Sequence, residues 1–298
     1  KTAYEIPKRD WSSDVCSSDL WYEITDAGNF EGKSIPCRLA NRGDLLRNDD
    51  VETVRQLLLA ARNTRHRPGL DDKVILEWNA LMIASLCEAA AALHNDEWAG
   101  AAQRAGEFMA TTMRRADGRW LRTWHREATP KHLAMAADLA NLVDACTRLY
   151  ELTGTARWVH LAREAADQLI AHHLDAAEGG FFTTPDDGER LIVRQKDLID
   201  NATPSANSVA ALALQRLAAL TGVEQYRTHA EDVLKLLARI VQSAPTAFPH
   251  LLCALHLHHV GPTEVAITGK RGELVSYLDR KSTRLNSSHV SESRMPSS

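Results

Sequence analysis

The chain has 298 residues, 44% hydrophobic and 25% charged, enough to bury a sizeable core in one large domain or two small ones. Formal net charge is -4; the first twenty residues carry -1 and the last twenty +2, so the interior carries -5, which lacks the basic footprint of a nucleic-acid binder. The most apolar run, "ALMIASLCEAAAAL", is broken by Glu88, so no membrane span is expected, and no signal peptide is visible.

The two ends read unlike the interior. Asp10 to Leu20 is "DWSSDVCSSDL" and Asp279 to His289 is "DRKSTRLNSSH". Both resemble one sequencing adapter translated on its two strands. Residues 1–20 and 279–298 are therefore expected to be adapter-derived and disordered, with a helical domain over 21–260 and the start of a C-terminal strand or helix segment over 261–278. Cys16 lies in the first flank. Cys37, Cys87, Cys146 and Cys253 form no CxxC pair, so neither a zinc site nor a dithiol centre is expected, and reduced cytosolic thiols fit.

In chain order, apolar periodicity predicts eight long helices, near 45–64, 72–93, 96–114, 133–152, 155–174, 204–221, 223–242 and 246–258. A turn signature repeats among them: "LHNDEWAGAA", "LTGTARWVHLA" and "LTGVEQYRTHA" each join a leucine, a polar turn, an aromatic (Trp98, Trp158, Tyr226) and an alanine four residues later (Ala102, Ala162, Ala230). Helices before the turn are nearly free of charge, whereas those after it are amphipathic. Buried helix followed by half-exposed helix predicts an all-α fold, an incomplete (α/α)6 toroid of helical hairpins, with an α-solenoid as the alternative. "GRWLRTW" and "GGFFTT...LIVRQKD" predict short β excursions between hairpins.

In a toroid the ends of the inner helices converge on one cavity, and polar residues gather at three of them. The first set is Asp71, Asp72, Lys73, Trp78 and Asn79; the second is His132, Asp138 and Asn141; the third is Arg194, Lys196, Asp197, Asp200, Asn201, Ser205 and Asn207. Taken singly, each is more often structural: Asp71 suits a helix cap, and Thr203 followed by Pro204 suits a cap and first helical position. Together, acids, amides and an indole suit a polyhydroxylated ligand, whose hydroxyls they bind while the ring covers its apolar face. His125, in "RTWHRE" beside Trp124, suits acid/base work because an imidazole titrates near neutrality. The "HLHH" run (His256, His258, His259) lacks the carboxylate or i, i+4 partner of a metal site, so no metal and no cofactor are expected.

"RPGLDDKVILEWNALMIASL", "VRQKDLIDNATPSANSVAAL", "NFEGKSI", "GGFFTT" and "GPTEVAITG" resemble the C-terminal part of YyaL-type thioredoxin-domain proteins, bacterial relatives of a spermatogenesis-associated family. That resemblance implies a helical region similar to N-acylglucosamine 2-epimerases and six-hairpin glycosidases, and a thioredoxin-like domain as partner elsewhere in the intact protein; the cytoplasmic setting is expected from the cysteines. Where many relatives have WNGLM and PSGN, this chain has Asn79-Ala80 and Ser205-Ala206. The expected function is carbohydrate binding or processing, with catalytic candidates Asp72, His125, Asp138 and Asp200, and Asp71, Lys73, Trp78, Asn79, Trp124, Arg194, Lys196, Asn201, Ser205 and Asn207 contacting the ligand. A glycosidase needs two carboxyl groups, an epimerase a base such as His125. The alternative is a non-catalytic scaffold presenting clients to the thioredoxin-like domain.

Overall fold

The computed structural model describes residues 17–40, 42–43, 46–126, 128–266 and 288–291. The chain divides into two units, residues 1–71 and 72–298. In the first, a short helix α1 (Ser17–Trp21) precedes α2 (Asp49–Asn63). The Asn48 side chain caps α2 by accepting the Val51 N–H at 2.9 Å, and Asp49, Asp50 and Glu52 stand in its first turn, where the helix dipole favours negative charge.

The second unit opens with β1 (Val74–Ile75), then the hairpin of α3 (Leu76–Leu93) and α4 (Asp96–Thr112). Strands β2 (Leu121–Trp124) and β3 (Lys131–Leu133) lead into α5 (Ala136–Thr153) and α6 (Ala156–His173). A long excursion over 174–205 precedes α7 (Ala206–Thr221) and α8 (Glu224–Ser243), followed by a 3-10 turn, α9 (Pro249–Val260), and the parallel strands β4 (Thr263–Ala266) and β5 (Ser288–Ser291). All eight expected long helices are present.

Helices α3, α5, α7 and α9 pack side by side in that order, and α4, α6 and α8 each lie against the helix that precedes them. This unit is an all-α arc of an α/α toroid, three hairpins and one further inner helix, with short β excursions. Each hairpin bends at a left-handed residue, His94 (φ 51), Gly154 (φ 64) or Gly222 (φ 68), whose N–H returns to the last helical turn. Four residues after the aromatic of each outer helix comes the repeated alanine, and Ala102, Ala162 and Ala230 are all fully buried. A methyl there lets the two backbones approach while Trp158 and Tyr226 seal the bend.

Helices α5 and α7 are enclosed on nearly every side, as their composition predicts. Their few charges are buried as a network: Asp144 accepts from Arg148 at 2.9 Å, Arg216 reaches Glu151 at 2.8 Å and Asp144 at 3.4 Å, and Arg148 also pairs with Glu88 on α3. Arg148 and Arg216 hold the Asp144 carboxyl below its usual range against the cost of burial. Cys87 and Cys146 are buried as small apolar groups, and burial pushes the Cys87 thiol up to about 12. By length and composition alone, α3 would pass for a membrane-crossing helix, which the sequence reading discounts on account of Glu88; it packs against α4 and α5 and leaves one face open, with Trp78, Met82 and Leu93 exposed.

Two expected helix caps are not formed. Ser205, not Thr203, caps α7, accepting the Ser208 N–H at 3.1 Å, because Asp200 takes the Ser205 N–H and fixes the preceding bend. Helix α3 begins at Leu76, beyond the reach of an Asp71 cap, because Val74 and Ile75 are held extended by pairing with Trp124 and Thr123.

Candidate functional site

The antiparallel sheet β1-β2-β3 lies at the N-terminal ends of α3 and α5, with Leu121 opposite Leu133 and Thr123 opposite Lys131. It carries Arg122 to the start of both helices. There Asp138, fully buried in the first turn of α5, accepts from three donors: the Met135 N–H at 2.8 Å, the Glu77 N–H at 2.9 Å, and Arg122 Nη1 at 2.7 Å. One carboxylate thus closes α5's own capping box and caps α3 from the neighbouring hairpin. Both its oxygens are committed.

Glu77 stands differently. Its side chain is sheltered, with Oε2 3.4 Å from Arg122 Nη2, and Oε1 has no hydrogen-bond partner among the described residues. Burial raises its carboxyl pKa above the ordinary carboxylate value; Asp138 and, more weakly, Asp197 push the same way, and only Arg122 opposes them. Beside it, Trp78 projects with 59% of its surface exposed. On the strand side, His125 Nδ1 lies 3.4 Å from Asp72 Oδ1, both half-exposed, and Trp124 packs edge-on against Phe108 with ring centroids 5.3 Å apart.

The structure therefore gathers Asp72, Trp78, Trp124, His125 and Asp138 around the ends of α3 and α5. Asn79 donates to the Ile75 carbonyl at 2.9 Å and Asn141 to that of Ala137 at 2.8 Å, so both amides finish helix turns. Lys73 is exposed, next to Asp72. Asp71 closes the first unit.

The third set is mostly occupied with its own backbone. Asp200 accepts from Ser205 N–H and, at 2.8 Å, from His250 N–H, tying the start of α7 to the start of α9. Asn207 is fully buried, exchanging hydrogen bonds with the Phe181 N–H and carbonyl and donating to the Asp197 carbonyl. Arg194 donates to the Thr184 and His172 carbonyls and stacks over Phe182. Lys196 holds the Gly179 carbonyl at 2.6 Å and Asp175 at 2.7 Å. Asn201 is exposed and donates to the Ile199 carbonyl. Ser205 is consumed as the α7 cap.

The candidate groups that sequence reasoning missed are Glu77 and Arg122. Glu77 sits inside "LEWNALM", where alternation with Trp78 was the available signal; Arg122 is the polar inward residue of "GRWLRTW". Away from this site, His172, Asp186 and Asp187 bring ligand atoms within 4.8 Å of one another and could hold a cation, although Arg119 already pairs with Asp187. The "HLHH" histidines His256, His258 and His259 are exposed on α9.

No family model matches the chain. Over most of its length the chain is similar to spermatogenesis-associated protein 20. The human protein is 30% identical over 238 residues, 74% of this chain and 30% of that protein, and the rat protein is 28% identical over a similar span. An uncharacterized Caenorhabditis elegans protein is 26% identical over 86% of the chain and 38% of its own length. The chain thus spans about a third of the length of the curated relatives it matches. Among solved structures, a sugar epimerase from a ruminal bacterium aligns with a TM-score of 0.49 at 17% identity, over 58% of this chain and 46% of that one. A cellobiose 2-epimerase from Spirochaeta thermophila aligns with a TM-score of 0.47 at 17% identity, over 64% and 55%. At such scores the likeness says nothing about the reaction.

Proposed function

We propose that this chain is the helical part of a YyaL-type, cytoplasmic thioredoxin-domain protein, and that the ends of α3 and α5 form a carbohydrate-binding or carbohydrate-processing site. The observation that carries this reading is that the first turn of α3 holds both an exposed indole, Trp78, and a sheltered, incompletely bonded carboxyl, Glu77. An indole face offers the apolar platform that a pyranose ring requires, and carboxyl groups bind hydroxyls. A glycosidase-like reaction would draw its two carboxyl groups from Glu77 and Asp72. An epimerase-like reaction would use His125, with Asp72 orienting the imidazole, to remove the proton beside an opened sugar's carbonyl.

The reading is tested by ligand-detected NMR of the full-length protein against a panel of mono- and disaccharides, with Trp78→Ala as the companion variant. Saccharide signals that weaken in the variant, whose exposed side chain leaves the core intact, support it. If no saccharide binds and the protein instead captures clients in a thiol-dependent manner, the non-catalytic scaffold is the better account.

A further inference from the structure

Two carboxylates meet Arg122, and the structure divides their roles. Asp138 has no oxygen to spare: three donors from three parts of the chain occupy it, and a proton placed on it would face an N–H. Glu77 has one long contact to Arg122 and an oxygen without a partner, in a side chain that retains only 11% of its exposure. That oxygen keeps contact with solvent, where a ligand hydroxyl can take the place of water.

The charged groups that act most strongly on Glu77 are Asp138 from α5, Arg122 from β2 and, more weakly, Asp197 from the excursion before α7. Two of the three are negative, and Arg122 is shared with Asp138. Arg194 and Lys196, the cations that the sequence places nearest in the third set, are held by carbonyls and by Asp175. Such surroundings repel an anionic ligand and leave a carboxyl that can both donate and accept hydrogen bonds.

We infer that Glu77 is the residue that meets the ligand directly, that Arg122 and Asp138 are its positioning pair, and that the ligand class is an uncharged saccharide, not a sugar acid or sugar phosphate. The inference rests on the saccharide reading above and narrows it. Asp138 sets the helix ends and aims Arg122, Arg122 meets one oxygen of Glu77, and the other oxygen is left for the ligand.

The test uses the full chain and four probes: mannose, cellobiose, glucuronate and glucose 6-phosphate. Binding is followed by ligand-detected NMR from pH 5 to 8 in the wild type, Glu77→Ala, Glu77→Gln and Arg122→Lys. The expected result is binding of an uncharged probe and at least tenfold weaker binding of the charged ones. Glu77→Ala should lose at least tenfold, while Glu77→Gln, which keeps a donor and an acceptor, should stay within a few-fold and lose the pH dependence. Arg122→Lys should shift the pH at which Glu77 titrates, an effect that a merely structural arginine would not produce. Unchanged affinity in Glu77→Ala overturns the inference and leaves the saccharide reading standing. Preferred binding of a charged probe overturns the ligand class. A 13C carboxyl titration of the wild type needs no ligand and no variant fold: a Glu77 signal in the ordinary carboxylate range overturns the inference even if no probe binds.

Discussion

Asp138 accepts the backbone N–H of Glu77 at 2.9 Å across a sequence separation of 61 residues, so the first turn of α3 is capped by a side chain of the next hairpin. Replacing Asp138 by alanine leaves Arg122 without its 2.7 Å partner and orphans two backbone donors. Breaking a buried pair of this kind costs about 3–5 kcal/mol. Urea denaturation should show a loss of that size, with Asp138→Asn losing less because one acceptor oxygen remains.

The raised Glu77 pKa has a consequence of definite sign. Between the ordinary value of 4.5 and its higher folded value, the folded protein binds more protons at Glu77 than the unfolded chain does. Stability contributed by the protonated form is therefore complete below the unfolded value and is lost as pH rises through the folded one. Thermal melts across pH 4 to 8 should show that Glu77→Gln removes this loss, so that the variant is relatively more stable toward neutral pH. A wild type and variant with parallel pH profiles would contradict the assignment.

His173 predicts the opposite slope. It is fully buried, its Nδ1 bonded to the Phe182 carbonyl at 3.0 Å and its Nε2 without a partner, and burial pushes its pKa down to about 4. The unfolded imidazole takes up a proton near 6.5 while the folded one resists, so stability falls as pH drops from about 6.5 toward 4, by on the order of 2–3 kcal/mol. The His173 ring signals in a two-dimensional NMR titration should remain those of a neutral imidazole at pH 5.

Gly106 and Gly100 lie on the same helix and predict different responses to alanine. A Cβ at Gly106 would stand 2.8 Å from Leu149 Cδ1 and 2.9 Å from Trp158 Cη2, whereas at Gly100 it would meet only the flexible end of Arg104 at 3.1 Å. Helix propensity favours alanine over glycine by about 1 kcal/mol, but overpacking costs about 1–3 kcal/mol. Gly106→Ala should therefore lower the melting temperature, and Gly100→Ala should leave it unchanged or raise it.

The flanks carry a prediction of their own. We propose that Asp10 to Leu20 and Asp279 to His289 are translated adapter, and an independent read of the source DNA across those codons should replace them with other sequence. Recovery of the same codons would discard the proposal.

The helices were legible because apolar spacing reports burial on one or all faces, and the turn repeat marks each bend with an aromatic and an alanine. The site was legible only in part. An aspartate or asparagine near a helix start has the same chemistry whether it caps backbone or meets a ligand, so Asp200 reads as a catalytic candidate and Asn207 as a ligand contact, and backbone groups of the chain occupy both. Glu77 and Arg122 stayed hidden because their meaning depends on Asp138, a partner that only the packing of α3 against α5 brings near. Arg194 and Lys196 looked available because nothing in "VRQKD" announces the carbonyls and the carboxylate that hold them.

The three bends at His94, Gly154 and Gly222 are built alike, and each inner helix leans chiefly on the one before and the one after. Cohesion in such an assembly is passed from neighbour to neighbour, as along a stack. Helix α5, flanked on both sides, is the member with most to lose and should exchange its amide protons last; α3 and α9 stand at the margins and should open first. The ends of α3 and α5, where the candidate site lies, thus join a labile element to the most persistent one.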